Sequence, residues 1–146
     1  MSAWRRLALQ RLQKCSKTIE RAENIRSLWT DLWLEFERAY QDPVDEDFIA
    51  SVYEYGSWCL VGSHNSEIQT AAIIGFYERL PLTDRIRKDM PNNLSRADFF
   101  GLEEVFRSHL SHSQYSELAQ EFLDSRRPKP SDHQKLNNPR GRGKDQ

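Results

Sequence analysis

In Glu23-Asn24-Ile25-Arg26-Ser27-Leu28-Trp29-Thr30-Asp31-Leu32-Trp33-Leu34-Glu35-Phe36-Glu37-Arg38-Ala39-Tyr40, the side chains Ile25, Leu28, Trp29, Leu32, Phe36, Ala39 and Tyr40 recur three and four apart. That period predicts an amphipathic helix over 23–40. Asp42-Pro43 follows and reads as a helix start, with Asp as N-cap and Pro at the first helical position. Asp45, Glu46 and Asp47 then fall in a first turn, where the helix dipole favours anions. A second helix over 44–60 carries Phe48, Val52, Tyr55 and Cys59 on one stripe, widened by Ile49, Tyr53 and Trp58.

The pattern continues toward the C-terminus. A third helix over 67–80 holds Ile68, Ala71, Ala72, Ile73, Ile74, Phe76, Tyr77 and Leu80, so little of its surface is polar. Ala71, Ala72 and Gly75 are small enough to let another helix approach closely. A short segment from Thr83 to Met90 ends at Pro91. Ser95 with Asp98, and Ser111 with Gln114, match the spacing of capping boxes and open two further helices. The first carries Phe99, Leu102, Val105, Phe106 and Leu110, the second Tyr115, Leu118, Ala119, Phe122 and Leu123. No segment shows strand alternation bounded by hairpin turns, and no repeat of 20 to 50 residues is visible. The fold class is all-α: a bundle of about five core helices, an amphipathic N-terminal helix and a disordered basic C-terminal tail.

The chain has 146 residues, 38% hydrophobic and 29% charged, enough for one core. No apolar run approaches the roughly 18 residues of a membrane span. Two cysteines exclude a disulfide-dense scaffold and a four-thiolate zinc site. Arg5, Arg6, Arg11 and Lys14 interrupt any apolar stretch near the start, so no signal peptide and a cytoplasmic location are expected.

The net charge of −1 hides three blocks. Residues 1–22 form a basic amphipathic helix, six basic side chains against Glu20. Residues 23–124 form the helical domain, eight basic against nineteen acidic. Residues 125–146 form the tail, seven basic against Asp132 and Asp145. An acidic body suits a basic protein surface better than a phosphate backbone. The N-terminal helix either packs on that body or serves a membrane or targeting role. In the tail, Pro128 and Pro130 break any helix, while Arg126, Arg127, Lys129, Arg140, Arg142 and Lys144 offer a nucleic-acid contact.

Chemistry is harder to find. His109 and His112 are three apart, but Ser111 starts a new element between them, and no His-Glu-x-x-His pattern occurs. Neither a metal nor a cofactor is expected. Arg107-x4-His112 fits the Arg-x(4–6)-His motif of all-helical HEPN-type ribonucleases, in which Arg holds phosphate and His transfers a proton. Fifteen arginines and four histidines produce about one such match by chance. Cys15 and Cys59 read as core thiols. Glu78 and Arg79 read as surface or network charges at a helix end.

Val52-Tyr53-x-Tyr55-x-x-Trp58-Cys59, Phe76-Tyr77-Glu78-x-Leu80 and Leu94-Ser95-x-x-Asp98-Phe99-x-x-Leu102-x-x-Val105-Phe106-x-x-His109-Leu110 together resemble an uncharacterised family of small bacterial helical domains. The resemblance covers roughly residues 40–123 and implies a helical fold without a transferable activity. In size and charge such domains resemble immunity or antitoxin proteins. The reading that follows is a non-enzymatic binding module for a basic protein partner, contacted through Asp42, Asp45, Glu46 and Asp47. The alternatives are a nucleic-acid-associated protein using its basic ends and an Arg107–His112 ribonuclease. Four Trp, five Tyr and seven Phe leave monomer and homodimer both open.

Overall fold

The computed structural model describes residues 1–126. Among them the chain forms nine α-helices and no strand: α1 Ala3–Arg11, α2 Ser16–Arg21, α3 Ile25–Arg38, α4 Glu46–Ser57, α5 Ser66–Gly75, α6 Asp84–Asn93, α7 Arg96–Gly101, α8 Glu103–Arg107 and α9 His112–Arg126. The all-α bundle is therefore the fold. A π-helical turn, Trp58–Gly62, prolongs α4, and a 3-10 helix, Tyr77–Leu82, joins α5 to α6.

Helix α3 is the spine. Asn24 caps it by accepting from the Ser27 amide at 2.9 Å, while Ser27 Oγ accepts from the Asn24 amide at 3.2 Å. Its stripe of Ile25, Leu28, Trp29, Leu32, Trp33 and Phe36 is buried. Trp29 stacks on Phe76 with ring centroids 5.1 Å apart, and Phe36 and Tyr53 meet Phe76 edge-on. Phe76 is the hub of this aromatic core, which explains why α5 stops early. A helix was expected to reach Leu80, but Phe76 leaves helical geometry at φ −133° and turns inward. An α-helix continued through Pro81 would also set its ring against the Tyr77 carbonyl. The tighter 3-10 turns accommodate it instead.

A second aromatic group joins the C-terminal helices. Phe99 stacks on Phe122 at 4.1 Å and lies 5.2 Å from Phe106. Ser111 and Gln114 complete both halves of their capping box, at 3.2 and 2.8 Å, and open α9. At Ser95 only half forms: its Oγ accepts from the Asp98 amide at 3.0 Å. That leaves the Asp98 carboxylate outside the cap.

Several boundaries differ from expectation. Asp42 is not an N-cap, because Asp42-Pro43 lies in a bend and Asp45 caps α4 by accepting from the Phe48 amide at 3.1 Å. The segment expected to end at Pro91 is a full helix, α6, which carries Pro91 in its last turn. The helix opened by Ser95 is split into α7 and α8 at Leu102.

The basic N-terminal segment is two short helices packed on the body. Ala8, Leu12, Cys15 and Ile19 are buried in the same core as α3. Tyr55 Oη donates to the Trp4 carbonyl at 2.8 Å, and Arg5 donates to the carbonyls of Ile19, Glu20 and Ala22. Arg5 thereby serves carbonyls at the end of α2, where Ile19 also accepts from the Ala22 amide at 3.3 Å. The aromatic surplus is spent inside: of the Trp, Tyr and Phe side chains, only Phe100 is exposed.

Candidate functional site

The acidic block at the start of α4 does not act as one unit. Asp45 is committed internally, since it caps the helix and accepts from Lys14 Nζ at 2.7 Å. The Lys14 hydrogen bond, with that from the Phe48 amide, holds its carboxyl below the usual range. Asp42 is fully solvated and only 3.7 Å from Arg85. Glu46 and Asp47 are exposed in the first turn. Helical spacing carries their side of α4 onward, with Ala50 one turn beyond Glu46 and the exposed Glu54 two turns beyond Asp47.

That side of α4 forms one wall of a cleft of about 350 Å³. Ala50, Tyr53, Glu54 and Ser57 come from α4, Leu60 and Val61 from the π-helical turn, and Tyr77 from the 3-10 helix. Asn92 and Asn93 of α6, with Leu94, Asp98 and Leu102, complete the opposite wall. Among the described residues, no lysine or arginine lines it. Tyr53 is 5% exposed, and its hydroxyl has no hydrogen-bond partner. Burial, then the Asp89 and Tyr77 side chains, push that hydroxyl well above the ordinary phenol range, so it stays protonated. Asn92 and Asn93 both donate their amide nitrogens to Asp89, at 2.7 and 3.0 Å, which leaves their carbonyl oxygens to accept. Sequence periodicity marked Tyr53 only as an apolar-face residue, and nothing in the sequence sets Asn92, Asn93 and Asp98 opposite it.

Arg107 and His112 do meet. Arg107 Nη1 is 3.3 Å from His112 Nδ1, across the junction of α8 and α9. The same guanidinium donates to Glu103 at 2.7 Å and lies 4.5 Å from the Tyr115 ring centre. Its charge is thus already matched within the chain. His109 pairs with Glu78 at 2.9 Å, making Glu78 a network charge, and His109 and His112 do not contact the same partner.

Both thiols are buried. Burial pushes Cys15 up to about 11 and Cys59 up to about 12, so neither is a nucleophile near neutrality. Among the described residues, no group of three or more His, Cys, Asp and Glu could hold a metal ion, and no helix is long and apolar enough to cross a membrane. Arg126 ends α9, while Arg127, Lys129, Arg140, Arg142 and Lys144 lie outside the described residues. The chain matches no family model, no curated protein and no solved structure at a significant level.

Proposed function

We propose that the protein is a non-enzymatic binding module, immunity- or antitoxin-like, that takes a basic protein partner on its acidic helical body. The observation that carries this reading is the exposed acid on one side of α4, Glu46, Asp47 and Glu54, which leads into a cleft that no lysine or arginine among the described residues lines. Part of the basic N-terminal segment's charge is matched within the chain: Arg5 caps α2, Lys14 holds Asp45, and Arg11 lies 3.8 Å from Glu54. Such a face steers a basic partner and selects against acidic ones. Asp45 belongs to the fold more than to the contact, so the contact set is Asp42, Glu46, Asp47 and Glu54. The test is capture by the tagged full chain at low and moderate salt. The expected result is one basic protein at near-equal stoichiometry, weakened by the triple variant Asp42→Asn, Glu46→Gln, Asp47→Asn.

A second reading rests on the Arg107–His112 contact. There Arg107 would hold a phosphate of RNA and His112 would transfer the proton, without a metal. It requires the Arg107–Glu103 pair to open when RNA binds. RNA cleavage by the wild type, lost in His112→Ala, would establish it.

A further inference from the structure

We infer that the cleft between α4 and the α6–α7 junction receives the guanidinium of an arginine side chain presented by the partner. The inference rests on the proposed binding role and specifies its anchor. Every polar side chain that lines the cleft is able to accept a hydrogen bond. Glu54 and Asp98 supply carboxylates, and the Asn92 and Asn93 carbonyls can accept while their amide nitrogens donate to Asp89, one bond from Asn92 and two from Asn93. Tyr53 adds a buried hydroxyl without a partner on the same wall. Buried polar atoms left unpaired are rare, because each forfeits a hydrogen bond it made to water. A guanidinium carries five N–H donors in a planar fork and no acceptor, which complements this set. Leu60, Leu94 and Leu102 line the same cleft and offer apolar surface to the aliphatic stem.

The cleft's size agrees. At about 350 Å³ it lies at the small end of ligand pockets, suited to one side chain rather than a folded segment. A guanidinium already stands at its rim: Arg11 reaches Glu54 at 3.8 Å, a loose and exposed pair that an incoming arginine can replace.

The experiment is a titration of the full chain, followed by backbone amide NMR, with the capped peptide Gly-Gly-Arg-Gly-Gly, its citrulline counterpart, and agmatine. The expected result is saturable shifts centred on Tyr53, Glu54, Asn93 and Asp98 with the arginine peptide, at least tenfold weaker with citrulline. Asp98→Asn should weaken the peptide several-fold, and Arg11→Ala should tighten it. Tyr53→Phe should weaken it with no loss in melting temperature, since no hydrogen bond of the free protein is removed. Equal binding of citrulline, or shifts confined to residues 42–47, would overturn the assignment. Agmatine binding tighter than the peptide would assign the cleft to a free small guanidine and overturn the partner source. A captured basic partner whose affinity ignores Asp98→Asn and Tyr53→Phe would sink this inference and leave the binding role standing. Arginine-selective binding without any basic protein partner would do the reverse.

Discussion

Gly75 lies so close to Trp29 that a methyl group on its α-carbon would sit 2.5 Å from Trp29 Cβ. The crossing of α3 and α5 depends on that absent side chain, and Phe76, the hub of the aromatic core, follows it immediately. Glycine to alanine inside a helix ordinarily stabilises by roughly 0.5–1 kcal/mol. Here the backbone must shift to relieve the overlap, so Gly75→Ala should destabilise by about 1–3 kcal/mol. Urea denaturation of the pair gives the sign directly. Gly101, where an added methyl group meets nothing within 4 Å, is the control in which the same change should be neutral or favourable.

Arg5 donates to three carbonyls near the end of α2 and ties α1 to it. Charge-assisted hydrogen bonds to backbone contribute about 1.5–3 kcal/mol each when well formed. Arg5→Ala should therefore cost on that order, and Arg5→Lys should recover little, since an ammonium cannot span the three acceptors. Amide hydrogen exchange of residues 3–22 would show α1 and α2 opening together in both variants, with α3 still protected.

Asp45 joins the N-terminal segment to α4 through Lys14 and caps α4 at the same time. Its carboxyl is held low by the Lys14 hydrogen bond first and the Phe48 amide second. A depressed carboxyl stabilises the fold above its unfolded pKa of about 3.9 and loses that contribution as pH falls through the lower folded value. The acid limb of the stability curve should flatten in Asp45→Asn, which keeps the cap acceptor and removes the titration. Curves that superpose below pH 4 would contradict the assignment.

Cys15 and Cys59 are silent thiols in the folded chain. With their ionisation pushed up to about 11 and about 12, both should resist alkylation at pH 8 and react fast in denaturant. The unfolded thiol ionises near 8.5, so stability should be intact below that pH and decline as pH rises toward 11. A stoichiometric reaction of native protein within minutes would show that one of them is reachable.

Much of this architecture was legible in the sequence, and the reasons are local. The three-and-four spacing from Ile25 to Phe36 specifies the buried stripe of α3, and Ser111 with Gln114 makes the box its spacing promised. Asp42-Pro43 misled because a proline after an aspartate satisfies the start rule equally well in a bend. Asp45 caps locally through the Phe48 amide, and tertiary packing adds Lys14, 2.7 Å away after an excursion of 31 residues. The candidate site was half visible. Glu46 and Asp47 stand out as consecutive acids, whereas the cleft needs Tyr53, Asn93 and Asp98 from three separate helices, a juxtaposition no local period encodes.

The most direct test of the binding role is the affinity of the captured basic partner for the wild-type chain and for Glu46→Gln, Asp47→Asn, Glu54→Gln, measured side by side at two salt concentrations. The account predicts at least tenfold weaker binding by the variant, a smaller salt dependence, and a retained helical fold that melts only a few degrees lower, because Asp45 still caps α4 while two first-turn anions are lost. Equal affinity in both chains, or recovery of nucleic acid in place of a basic protein, would contradict it.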